Sequence, residues 1–148
     1  MAFLGNPLIQ QGQLNRVLTH VIVPSFPQLT VTAPYMSKSL AVLTFDGPFV
    51  DQIGTATGVV NSPMPYVMAQ IVVNLLRSQS VSALWIAQAQ LQSVIGSIVA
   101  YPDSTVFPPI TLANCSLIEI DPGAFDGVDP TVKMTVKGVY YTNSSMWS

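Results

Sequence analysis

Charge is the scarcest property of this chain. Of its 148 residues only 8% are charged, five Lys or Arg and seven Asp or Glu, against about 25% in an ordinary soluble domain. From Gln52 to Pro102 the only charged residue is Arg77. The cations Arg16, Lys38, Arg77, Lys133 and Lys137 are scattered rather than clustered. Displacing phosphate counterions takes clustered cations, so tight nucleic-acid binding is not expected. The single cysteine, Cys115, excludes an intrachain disulfide framework. In the apolar run ITLANCSLIEI it reads as a small buried hydrophobe. Long apolar runs are also missing. Gln70, Asn74, Arg77, Gln79, Gln88, Gln90 and Gln92 break up the stretch from Val67 to Val99, so neither a spanning helix nor membrane insertion is expected. The opening MAFLGNPLIQQG has no charged n-region and no long apolar core. No signal peptide is expected there, which points to assembly in the cytosol.

What is present is hydrophobic or polar without charge. Hydrophobic residues make up 49% of the chain, and 41 residues are Ser, Thr, Asn or Gln. Charge keeps a free monomer soluble and is depleted at the centres of protein interfaces. Composition alone therefore points to a subunit that hides much of its surface against other copies. The length suits one domain, residues 1–148, with a full hydrophobic core.

Periodicity predicts a mainly β chain of about six antiparallel strands, a sandwich or partial barrel flanked by one α-helix. The β-branched segment Gly12–Val23 reads as a strand. Pro24, Pro27 and Pro34 make PSFPQLTVTAPY a long loop with one short extended piece, LTVTA, and loops of that length are usually functional. Ser39–Phe45 reads as a short strand, Phe49–Val60 as irregular extended chain, and Ser62–Pro65 as a turn. Tyr66–Arg77 reads as a strand with Val67, Ala69, Ile71, Val73 and Leu75 on one face. Ser78–Gln92 is the helix, capped by Ser78 or Ser80, with Val81, Leu84, Trp85, Gln88 and Leu91 on its inner face and Gly96 after its end. Val94–Tyr101, Ile110–Asp121 and Thr131–Thr142 are strands again.

Catalytic chemistry finds little footing. General acid–base work wants a His or paired carboxylates in a cleft, and the one histidine, His20, lies in a strand-like segment. No cofactor or metal is expected. DPGAFDGVDP places three Asp within one loop, but the alternating ligands and closing Glu of a calcium loop are missing. Turns capped by Asp are the expectation. GTATG is followed by Val59 and Val60 rather than Lys and Ser or Thr, so it is no phosphate loop. Trp85, Tyr140 and Tyr141 read as core or interface aromatics. Arg77 either pairs with an acid of a neighbouring subunit or points to solvent.

The order VIVPSFPQLTVTAPYMSKS, TGVVNSPMPY, VVNLLRSQSVSALWIAQAQ, IGSIVAYPDS and DGVDPTVKMTVKGVYYTN resembles the tail tube proteins of contractile-tailed bacteriophages, over nearly the whole chain. The resemblance implies a structural virion protein with no enzymatic activity. Six copies would close into a ring through an inner β-barrel, and stacked rings would form the conduit for DNA ejection. It implies a surrounding sheath protein, a tape-measure protein in the lumen, and baseplate and terminator proteins as further partners. DNA would pass without specific contacts. Gln70, Asn74, Thr131 and Thr135 are the candidates for the lumen. Lys133 and Lys137 share a face with the two threonines and either sit in the lumen or turn that face toward the sheath. Arg77, Lys38, Tyr35 and Trp147 are candidate contacts between subunits. The loop Pro24–Ser39 is expected to reach the next ring, and Met1–Gln11 and Asn143–Ser148 to order only on stacking. A tube initiator or terminator of the same fold, or a monomeric binding module, are the alternatives.

Overall fold

The computed structural model describes residues 11–147; the first ten residues of the segment Met1–Gln11, and Ser148, lie outside them. The described elements are strands β1 (His20–Ile22), β2 (Val31–Thr32), β3 (Met36–Phe45), β4 (Val50–Gly54), β5 (Val59–Pro63) and β6 (Tyr66–Leu76), helix α1 (Ser80–Leu91), and strands β7 (Val94–Tyr101), β8 (Ile110–Asp121) and β9 (Thr131–Tyr141). Seven strands form one antiparallel sheet in the order β2-β1-β7-β8-β9-β6-β3, and β4 pairs only with β5. The mainly β, antiparallel fold with one helix is as expected. The sheet is open, with β2 and β3 at its edges. The three strands beyond six are β2 and the β4–β5 hairpin, which come from segments too short or too irregular to show a clear period.

β6 organises the core. Val67, Ala69, Ile71, Val73 and Leu75 are all buried, and Met68, Gln70 and Val72 between them are half-exposed. Its neighbour β9 repeats the pattern with Val132, Met134 and Val136 buried. Helix α1 packs onto this face through Val81 and Trp85. Trp85 is fully buried, and its indole Nε1 donates to the Leu29 carbonyl at 3.1 Å. Each such aliphatic side chain taken from water contributes about 1.5–3 kcal/mol.

Backbone space constrains the core where β8 meets β9. Gly138 sits over Cys115, and a Cβ there would come within 2.5 Å of the Cys115 sulfur. Cys115 is fully buried, and burial pushes its thiol pKa up to about 11. It is the small buried hydrophobe that its apolar surroundings suggest.

Several local expectations need correction. Only His20–Ile22 of the Gly12–Val23 segment is strand. Arg16–Leu18 is a 3-10 turn, because Asn15 Oδ1 accepts from the Val17 amide at 3.0 Å and turns the chain. The segment Pro24–Ser39 is not a free loop, since Leu29 and Val31 are fully buried. Helix α1 starts after Gln79, with neither serine as cap. Ser82 instead donates to the Gln79 carbonyl at 2.8 Å. Leu84 and Leu91, expected on the inner face, are 42% and 83% exposed. Gly96 does not stop the helix; it lies inside β7 at φ +80°, where the β7–β8 register shifts.

Candidate functional site

The sheet face turned away from α1 is the candidate site, and strand register fixes its members. Directly paired residues share a face. Gln70 stands opposite Lys137, Val72 opposite Thr135, Asn74 opposite Lys133 and Leu76 opposite Thr131. The four lumen candidates therefore share one face, and both lysines share it with them. Gln70, Thr131 and Thr135 are half-buried, whereas Asn74 is only 5% exposed. The Thr131 hydroxyl is engaged with Ser37 Oγ at 2.6 Å.

Acids offset the two lysines. Lys137 Nζ lies 3.0 Å from Asp46 Oδ2. Asp121 of β8 stands opposite Lys133, and Glu119 opposite Thr135. Two cations thus share this face with three acids. Sequence reasoning found the lysines but missed the Lys137–Asp46 pair and the register that sets Asp121 opposite Lys133. The lysine alternation lies within one strand, while the acids come from β8 and from the residue after β3.

Arg77 serves its own chain. Its guanidinium donates to the Pro122 carbonyl at 2.9 Å and to the Asp129 carbonyl, and lies 5.2 Å from the centre of the Phe125 ring. Neither a neighbour's acid nor bare solvent is needed to account for it. The loop it clamps is capped as expected. Asp121 accepts from the Gly123 amide at 3.0 Å, Asp126 from the Val128 amide at 2.9 Å, and Asp129 from the Thr131 amide at 3.1 Å. The amides of Val128 and Asp129, aided more weakly by Arg77, hold the Asp126 carboxyl below its ordinary pKa. Among the described residues no cluster of three or more metal-ligating side chains forms.

The other contact candidates are exposed and separate. Tyr35 is 38% and Trp147 69% exposed, and Lys38 is exposed at the irregular start of β3. Asn143 is tied into the single chain. Its Nδ2 donates to the carbonyls of Met64 at 2.8 Å and Phe49 at 3.0 Å, which pins both ends of the β4–β5 hairpin. Asn143 sits at φ +48°, a left-handed position that Asn tolerates. Ser144–Trp147 follows as a 3-10 turn, so these residues do not await stacking to take up structure.

Past that pinned base, the hairpin leaves the body. From Asp51 to Pro63 every residue is exposed. Its apolar side chains include Ile53 at 52%, Val59 at 61% and Val60 at 53% exposure. At its tip Thr55 and Gly58 close the turn, the Thr55 amide donating to the Gly58 carbonyl at 2.8 Å.

A mostly apolar groove of about 380 Å³ runs beside β3, lined by Leu40, Leu43, Phe45, Tyr101 and Phe107 among others, with Asp103 as its carboxylate. His20 stacks on Tyr101 at 4.2 Å, and its Nδ1 donates to the Leu18 carbonyl at 2.7 Å. No protein-family model matches this chain, and no curated protein matches it.

Proposed function

We propose that this chain is the structural subunit of a phage tail tube, without enzymatic activity. Copies close into rings, hexameric as the family resemblance implies, and the rings stack into a conduit for DNA ejection. The observation that carries the reading is the β4–β5 hairpin. Two-stranded hairpins alone are marginal in water. This one exposes three β-branched apolar side chains and buries almost nothing against its own chain. A second copy supplies the missing cover.

Two further features support the same reading. β3 is a ten-residue edge strand, and such edges either aggregate or are closed by a designated partner. Closing it against the next copy makes a ring. The face with Gln70, Asn74, Thr131 and Thr135 then lines the lumen. Its two lysines are matched by Asp46, Glu119 and Asp121, so DNA passes without a cationic surface to hold it. The sheath lies outside, the tape-measure protein fills the lumen before ejection, and baseplate and terminator proteins close the ends. The site of action is the virion tail, assembled in the host cytoplasm.

The test is a chain carrying Ile53→Asp and Val60→Asp. Both positions are exposed, so thermal unfolding of the isolated chain stays within a few degrees of wild type. Sedimentation should show loss of the assembled species. Undiminished assembly would remove the hairpin from the account.

A further inference from the structure

The start of the β3 edge has a geometry that a plain edge strand does not need. Met36 stands opposite Leu75 and Ala41 opposite Val73, so the four residues Ser37–Leu40 face the single residue Asn74. That is three more than a continuous ladder holds. Leu40 takes φ +53°, a left-handed conformation that is strained for a leucine. Two contacts keep the bulge shut. Ser37 Oγ lies 2.6 Å from Thr131 Oγ1 on β9, and the Leu40 side chain packs partly buried against the core. Beneath it Asn74 is sealed at 5% exposure, although its strand neighbours on that face are half-exposed.

We infer that the Ser37–Leu40 bulge is an edge guard, which keeps the first half of β3 out of line in the free chain and opens when a second copy pairs along that edge. With the guard shut, only Ala41–Phe45 runs in regular register, about 17 Å of strand. A bulge at an edge is a known way to refuse unwanted pairing. The left-handed Leu40 makes this guard unstable enough to open when the ladder of a partner strand replaces what is lost. The inference rests on the self-assembly reading.

The test compares Leu40→Gly with Leu40→Ala in the full chain. Both lose the leucine packing, but only glycine is relaxed at the left-handed position, and only alanine is comfortable in an opened strand. Glycine should therefore raise the critical concentration for assembly about tenfold over alanine. Equal values, or the reverse order, would overturn the guard. If neither variant folds, Ser37→Ala decides. Losing the hydroxyl latch should shorten the assembly lag in light scattering, and an unchanged or longer lag contradicts the inference. A wild-type chain that never assembles contradicts the self-assembly reading itself.

Discussion

Lys137 and Asp46 form an ion pair of 3.0 Å on the sheet face that also carries Gln70. The pair joins β9 to the residue that follows β3, across the intervening β6. It removes an apparent conflict. A face with two lysines looks unsuited to passing DNA, yet Lys137 is paired with Asp46 and Lys133 stands opposite Asp121 in the register. The register also puts the lysines and the four polar candidates on the same face, so whichever way one set points the other points with it. All six residues share one face.

Replacing Asp46 with Asn tests this balance. Both partners are about a third exposed, so the loss of stability should stay below about 1 kcal/mol by urea unfolding. The functional effect should be larger. Assembled particles of the variant should retain DNA at low salt and release it as salt rises, while wild-type particles retain none. Identical DNA retention would mean that Lys137 does not face the lumen.

Gly138 should tolerate no side chain. Gly138→Val drives a Cβ to within 2.5 Å of the Cys115 sulfur and 3.0 Å of the Ala113 carbonyl. A cost of about 1–3 kcal/mol is expected, read as a lower urea midpoint. Adding Cys115→Ala should recover part of it, because the sulfur leaves but the carbonyl stays. No recovery would show that the sulfur contact is not the cause, and full recovery that the Ala113 carbonyl contributes nothing.

Arg77→Glu should loosen the 122–129 loop in the isolated chain, before any assembly. The change removes the donor to the Pro122 and Asp129 carbonyls and places a second carboxylate beside Asp126. Faster amide exchange at Val128 and Asp129 is the expected readout. Acid should act on the wild-type loop in the same direction. The folded pKa of Asp126 lies below its ordinary value of 3.8, so its contribution is present above that pH and is lost as pH falls through the depressed pKa. Exchange in the variant equal to wild type would show that the Arg77 contacts do not hold the loop.

The sequence was most legible at two strands, one through its β-branched run after a proline and one through its plain alternation. The inward set Val67, Ala69, Ile71, Val73 and Leu75 and the strand from Thr131 both stand as read, and with them the mainly β class. Helix α1 was placed to within about two residues, but its inner face was not. Apolar residues occur all round it, so hydrophobicity could not separate the buried Trp85 from the exposed Leu91. The hairpin was missed because its two short strands, with Gly54 and Gly58 at the turn between them, bury neither face and so have no alternation to show. The bulge at Ser37–Leu40 and the Lys137–Asp46 pair depend on pairing between distant strands, which no local pattern encodes.

Electron microscopy of the purified chain across a concentration series tests the central claim most directly. Hollow tubes with a regular axial repeat, accumulating above a critical concentration, are the predicted result. A monodisperse monomer persisting at high concentration would contradict the account, and with it the assignment of the hairpin and the β3 edge to contacts between copies.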